Sequence, residues 1–136
     1  MLFRVPGSFG RATSIQPSVI LAFLLICPGC SRLRSPSATI REAYEACNAG
    51  RYSDAEQLMS EALIASAASF GGVKALCDQN TREGTIQSIA TTGEEIRGEG
   101  ATVITTFTFK DGSKLEGFRA PLLKEKGIWK VALKTH

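Results

Sequence analysis

Histidine is almost absent from this sequence of 136 residues, since its single histidine is the last residue, His136. A metal centre or a Ser-His-Asp triad usually needs imidazole inside a folded site, and His136 is poorly placed for either. A glycine-rich phosphate loop is missing too, because Gly71-Gly72 lacks the rest of a P-loop motif. The sequence therefore predicts no metal site and no cofactor.

An excess of charge of one sign is also missing from most of the chain. Residues 1–29 carry Arg4 and Arg11 but no acid, so the remainder has 14 basic and 13 acidic side chains. These charges are interleaved along the sequence, whereas nucleic acid is bound by a clustered basic face. We therefore predict no nucleic-acid partner.

Long hydrophobic runs are scarce as well. The apolar run Val19–Cys27 has nine residues, about half of the roughly 20 that a helix needs to cross a bilayer. Basic residues precede this run, and Pro28, Gly29 and a polar stretch follow it. The pattern is typical of the apolar region of a signal peptide. It predicts an exported protein and not one with a membrane-spanning helix.

The end of this run, Leu25-Ile26-Cys27-Pro28-Gly29-Cys30, resembles a bacterial lipobox. Gly29 fits the small residue before the modified cysteine, whereas the two residues before Gly29 depart from the usual ones. The resemblance implies a lipoprotein-type signal peptide over residues 1–29 and an acyl chain such as palmitate on Cys30. That lipid would anchor the mature protein to a membrane of the bacterial cell envelope. Ser31, in place of aspartate, favours the outer membrane of a Gram-negative host. Cleavage by ordinary signal peptidase, or a retained helix, remains the alternative.

The rest of the chain divides into a tether and one domain. Residues 30–37 are polar and contain Pro36, whereas residues 38–136 are long enough for a single domain. Helical patterns come first and strand patterns last. This order predicts an α+β fold, with two to three N-terminal helices packed on a curved four-stranded antiparallel sheet.

The predicted helices start at capping residues. Thr39, with Glu42 three residues later, forms a capping box before a helix over residues 40–49. Ser53 is the predicted cap of a second helix, and residues 73–79 form a short third one. The apolar face of the second helix is predicted to hold Ala55, Leu58, Met59, Ala62 and Leu63.

The strands are predicted from alternation. They cover residues 85–92, 101–110, 114–124 and 128–134, with a polar connection over residues 94–100. Asp111-Gly112 is a strong hairpin signal between the second and third strands. One face of the second strand is predicted to be buried, and it holds Ala101, Val103, Thr105, Phe107 and Phe109.

The last strand contains the single tryptophan, Trp129. Alternation places Trp129, Val131 and Leu133 on the predicted inner face. The predicted outer face holds Lys130, Ala132 and Lys134. Trp129 is expected to pack on the first two helices, near Tyr44, Leu58 or Ala62.

Cys47 and Cys77 are the two cysteines of the domain. An even pair in an exported protein predicts a disulfide, whose loop of about 30 residues would be worth about 3 kcal/mol. The alternative is that both are small buried apolar residues on helices.

Four stretches of the domain resemble the nuclear-transport-factor-2-like (NTF2-like), cystatin-like cone superfamily, and most closely an uncharacterised family of small bacterial lipoproteins with that fold. They are Ala46–Ala55, Ala101–Val103, Lys110–Gly112 and Leu122–Val131. The last stretch, Leu-Leu-Lys-Glu-Lys-Gly-Ile-Trp-Lys-Val, is the most specific. The resemblance covers roughly residues 38–134 and implies a cone formed by a curled sheet and helices.

The resemblance also implies a pocket inside the cone, for which the candidate residues are Trp129, Phe107, Glu116 and Arg119. The residues themselves favour the alternative, in which Trp129 and Phe107 pack in the core and Glu116 and Arg119 form a solvated pair on the outer face. Enzymes of the superfamily, such as ketosteroid isomerases and epoxide hydrolases, use carboxylates inside the cone, and a buried carboxylate has a raised pKa. The leading hypothesis is a non-enzymatic domain that binds a small ligand or a protein partner through the concave side of its sheet. The alternatives are an isomerase or hydrolase that uses Glu116, and a structural protein that dimerises through its sheet.

Overall fold

The computed structural model of the protein describes residues 34–134, in which all helices precede all strands. The helices are α1 (Pro36–Asn48), α2 (Tyr52–Gln57), α3 (Glu61–Ala68) and α4 (Gly72–Thr81). The strands are β1 (Ile86–Arg97), β2 (Gly100–Phe109), β3 (Lys114–Glu125) and β4 (Ile128–Val131). The predicted α+β class is confirmed, with four helices in this part of the chain where two to three were expected.

Helix α1 begins four residues earlier than predicted. Its N-cap is Ser35, whose hydroxyl accepts a hydrogen bond from the Ala38 N–H at 3.1 Å, and Pro36 occupies the first turn. Proline suits this position because the N–H it lacks would be unpaired there anyway. Thr39, the predicted cap, is buried inside the helix, where its hydroxyl donates to the Ser35 carbonyl. The end of the predicted tether therefore belongs to α1.

The second predicted helix is split into α2 and α3 by the segment Leu58–Ser60. The Val131 N–H donates to the Leu58 carbonyl at 2.7 Å, and the Ser60 N–H donates to the Val131 carbonyl at 2.8 Å. Met59 thereby pairs with Val131 as a parallel bridge at the edge of β4. Helix α3 starts again at Ser60, whose hydroxyl accepts from the Leu63 N–H at 3.1 Å. Pairing with β4 has replaced a continuous helix.

The strands form one antiparallel sheet in the order β1-β2-β3-β4. Residues 94–97, predicted to be part of a connection, extend β1 and pair with the start of β2. Only Gly98 and Glu99 are left for the turn, and Gly98 takes the positive φ of +59° that such a tight hairpin requires.

A β-bulge interrupts β3. Thr105 lies opposite Phe118 and Phe107 lies opposite Leu115, so two residues of β3, Glu116 and Gly117, face one residue of β2. Gly117 has a φ of +66°, which glycine adopts without a Cβ clash. Two further register shifts occur in β1. Bulges bend a strand and increase its twist, and the sheet is accordingly curled.

The core lies between the helices and the curled sheet. The predicted inner face of β2 is buried throughout. Trp129 is 8% exposed and packs with Ile40 of α1, with Tyr44 beside the same cluster. Its predicted burial is confirmed, whereas Leu58 and Ala62 lie outside that cluster. Leu133 was predicted to face inward but is 38% exposed, since β4 ends at Val131.

No helix within residues 34–134 is long and apolar enough to cross a membrane. The predicted signal peptide, Cys30 and most of the tether lie outside the described residues, as does His136.

Candidate functional site

A cavity of about 260 Å³ lies between the helices and the last two strands. It is open to the surface, and its walls come from α1, the segment Leu58–Ser60, α3, α4, β3, β4 and the residues after β4. Most of the lining side chains are apolar. The lining residues are Ala43, Tyr44, Cys47, Met59, Leu63, Leu76, Asn80, Phe118, Ala120, Pro121, Val131, Ala132 and Lys134.

The break between α2 and α3 forms one wall of this cavity. Met59 and Val131, which pair in the parallel bridge, both line it. Leu63, one turn into α3, lines it as well. The bridge therefore fixes α3 against β4 at the distance that leaves this space open.

Tyr44 is partly buried and supplies a hydroxyl group to the cavity wall. Its ring packs on Phe107, with centroids 4.8 Å apart, and edge-on against Phe118 at 6.3 Å. Its hydroxyl has no hydrogen-bond partner among residues 34–134. Burial disfavours the charged phenolate and raises the pKa of Tyr44 from 10.0 to about 12. Tyr44 is therefore a neutral hydrogen-bond donor at physiological pH.

A disulfide lies in the wall opposite the sheet. Cys47 of α1 lines the cavity and is bonded to Cys77 of α4, with sulfur atoms 2.14 Å and Cα atoms 4.9 Å apart. This separation lies within the range for bridged cysteines. The bond ties together two helices that both contribute lining residues.

The polar groups at the opening are few. Asn80 donates from its side chain to the Leu76 carbonyl at 2.8 Å, and Lys134 is exposed. No aspartate or glutamate of the described chain lines the cavity. Within residues 34–134 no cluster of three histidine, cysteine or acidic side chains could hold a metal ion.

None of the four residues predicted for the pocket lines this cavity. Trp129 and Phe107 are buried in the core beside it, at 8% and 2% exposure. Glu116 and Arg119 are exposed, and Arg119 forms an ion pair with Glu95 at 3.1 Å. Glu116 and Arg119 instead line a shallow surface groove next to the cavity.

The bulge explains the position of Glu116. Simple alternation from Phe118 would put Glu116 on the inner face of β3. The extra residue at Gly117 shifts this alternation by one, so that Leu115 and not Glu116 lies opposite the buried Phe107. Glycine inside a strand is a known signal of a bulge. Gly117 and the nearby Pro121 both indicate in the sequence that this strand is irregular.

The arrangement can bury a small apolar molecule and give it one hydrogen bond from Tyr44. The sequence did not identify Tyr44 as a cavity-lining residue, because it lies on a helical stripe with Ile40, Ala43 and Cys47, which is typical of a core position. Its hydroxyl is the polar atom in an otherwise apolar stripe, and this is the signal that could have identified it.

No protein-family model matches the chain, and no curated protein matches it significantly. Solved structures with a similar fold include a suspected NTF2-like transpeptidase from Campylobacter jejuni. It is 14% identical, with a TM-score of 0.60 over 74% of this chain and 100% of that chain. Another is a SEC-C motif containing protein from Rhodopseudomonas palustris. It is 16% identical, with a TM-score of 0.51 over 76% of this chain and 82% of that chain. At such identities the likeness concerns the fold alone.

Proposed function

We propose that this chain, which has the NTF2-like fold, is a non-enzymatic binding domain that takes a small, mainly apolar ligand into the cavity beside Tyr44. The ligand carries a hydrogen-bond acceptor, such as a carbonyl oxygen, that reaches the Tyr44 hydroxyl. The observation that carries this proposal is the partly buried Tyr44 side chain, which lines the cavity and whose hydroxyl makes no hydrogen bond to another group within residues 34–134.

The energetics favour a ligand with an acceptor. A hydrogen bond from the Tyr44 hydroxyl to a ligand acceptor would contribute about 1 kcal/mol. The apolar body of the ligand would be buried among Met59, Leu63 and Leu76. The cavity, at about 260 Å³, is slightly below the usual range of about 300–1,000 Å³ for drug-sized ligands. The ligand is therefore small.

The composition of the lining favours binding over chemistry. Acid–base catalysis in a cone needs a carboxylate near the substrate, and Glu116 points elsewhere. Acyl transfer, the suspected activity of the Campylobacter jejuni neighbour, needs an activated nucleophile. Cys47, the nucleophilic residue type in the lining, is bonded to Cys77. We therefore propose neither acid–base catalysis nor acyl transfer for this chain.

A neutral ketone tests the site. 2-Octanone has an apolar chain and a carbonyl that accepts but cannot donate, and its binding to the purified protein is measured by calorimetry. Tyr44→Phe removes one hydroxyl and is expected to weaken binding about fivefold, since a hydrogen bond contributes about 1 kcal/mol. Tyr52→Phe is the matched control, because its hydroxyl bonds Asp78 at 3.1 Å and lies outside the cavity lining. A lack of binding, or equal effects of the two variants, would contradict the proposal.

We further propose that the protein is exported and held in the cell envelope by a lipid on Cys30. The support is the short apolar run and the Gly29-Cys30 pair in the sequence. Metabolic labelling with an alkyne analogue of palmitate should mark the wild type and the control variant Cys27→Ala, but not Cys30→Ala. Labelling that persists in Cys30→Ala would refute the anchor.

A further inference from the structure

The cavity continues into a groove on the protein surface. Phe118, Pro121 and Lys134 line both spaces, so the opening of the cavity is one end of the groove. The groove measures about 510 Å³ and runs along the bulged part of β3. Its other lining residues are Thr102, Leu115, Glu116, Gly117 and Arg119. A ligand that fills the cavity can therefore extend along this groove.

The two spaces differ in polarity. The cavity is lined mainly by apolar side chains, whereas the groove carries three charged ones. Two of these are cations, and one of them, Arg119, is engaged by Glu95 at 3.1 Å. The other, Lys134, forms no ion pair within residues 34–134. It lies at the junction, where the end of a bound molecule would leave the apolar space.

We propose that the ligand is an anionic amphiphile, with its tail in the cavity and its carboxylate at the junction beside Lys134. This inference rests on the proposed function, since the tail occupies the same cavity and its acceptor meets Tyr44. Tyr44 and Lys134 both line the cavity, and the other lining residues are mainly apolar. A short acyl carboxylate with a carbonyl or similar acceptor toward its far end would match this lining.

A matched pair of ketones tests this assignment on the purified protein. 7-Oxooctanoate has the carbonyl and chain of 2-octanone, with a carboxylate in place of the terminal methyl group. It is expected to bind about two- to fivefold more tightly, which is the range for an exposed ion pair. Lys134→Gln should remove this advantage, so that the variant binds the two ketones with similar affinities. Lys110→Gln removes the same charge from an exposed lysine that lines neither space, and it should change neither affinity.

The salt dependence gives a second readout. Added salt screens an exposed ion pair, so the advantage of 7-oxooctanoate should shrink as ionic strength rises. Equal affinities for the two ketones, or an advantage that survives Lys134→Gln, would overturn the inference and leave the proposed function intact. Failure of both ketones to bind would overturn both.

Discussion

Cys47 and Cys77 are joined by a disulfide that crosses from α1 to α4 at the wall of the cavity. The bond closes a loop with a sequence separation of 30 residues, and it restricts the unfolded chain. Replacing both cysteines by serine is expected to lower the free energy of unfolding by about 2–4 kcal/mol. Urea denaturation of the wild type, with and without a reductant, measures the effect. The reductant should not change the free energy of unfolding of the double variant. If it also leaves that of the wild type unchanged, the disulfide does not contribute to stability.

The break between α2 and α3 leads us to predict different effects on stability for substitutions of two serines, Ser60 and Ser53. Ser60 is fully buried and caps α3, whereas Ser53, which the sequence suggested as a cap, is exposed and makes no such bond. Ser60→Ala is expected to cost about 0.5–2 kcal/mol of stability, as loss of an N-cap usually does. Ser53→Ala should be neutral. A larger loss of stability for Ser53→Ala than for Ser60→Ala in denaturation curves would contradict the break and favour a single helix that begins at Ser53.

Trp129 is predicted to stabilise the fold and not to contact the ligand. Trp129→Ala removes a large buried side chain from the cluster that contains Ile40 and should cost about 3–5 kcal/mol. That is a large share of the stability of a small domain. Leu133→Ala is the control, because Leu133 is exposed and should change stability by less than about 0.5 kcal/mol. A normal melting temperature for Trp129→Ala, with lost ligand binding, would assign Trp129 to the site instead.

The raised pKa of Tyr44 leads us to predict a loss of protein stability at alkaline pH. Its pKa in the folded protein is about 12, above its ordinary value of 10.0, so the unfolded chain releases this proton first. The contribution of Tyr44 is complete below pH 10 and is lost as the pH rises towards 12, by about 2–3 kcal/mol in total. Unfolding of the wild type and of Tyr44→Phe is compared from pH 9 to 12, and the difference between the two proteins isolates the contribution of Tyr44. Parallel pH profiles for the two proteins would contradict the burial of this phenol.

The local pattern of the sequence was sufficient for much of the fold. Strict alternation in β2 identified its buried face, and Asp111-Gly112 marked the hairpin that follows. These features depend on neighbouring residues, so they can be read from a short stretch of sequence. The order of helices before strands was enough to predict the α+β class.

The features that the sequence did not reveal depend on distant partners. The segment Leu58–Ser60 has helical periodicity, and only its pairing with Val131 breaks the helix there. The β-bulge at Glu116 and Gly117 depends on the register between β2 and β3, which alternation along one strand cannot specify. A pocket beside the sheet was predicted, but its lining residues were not, because they depend on how Leu58–Ser60 and α3 pack against β4.

The two outer edges of the sheet differ in what they can still bind. The outer edge of β4 is partly occupied by Leu58–Ser60, whereas β1, with 12 residues, pairs only with β2 within the described chain. Open strand edges recruit strands from other molecules. The longer unpaired edge of the described chain is therefore that of β1. Two copies joined through β1 would cover this edge in each copy, and only the short outer edge of the four-residue β4 would remain for further pairing.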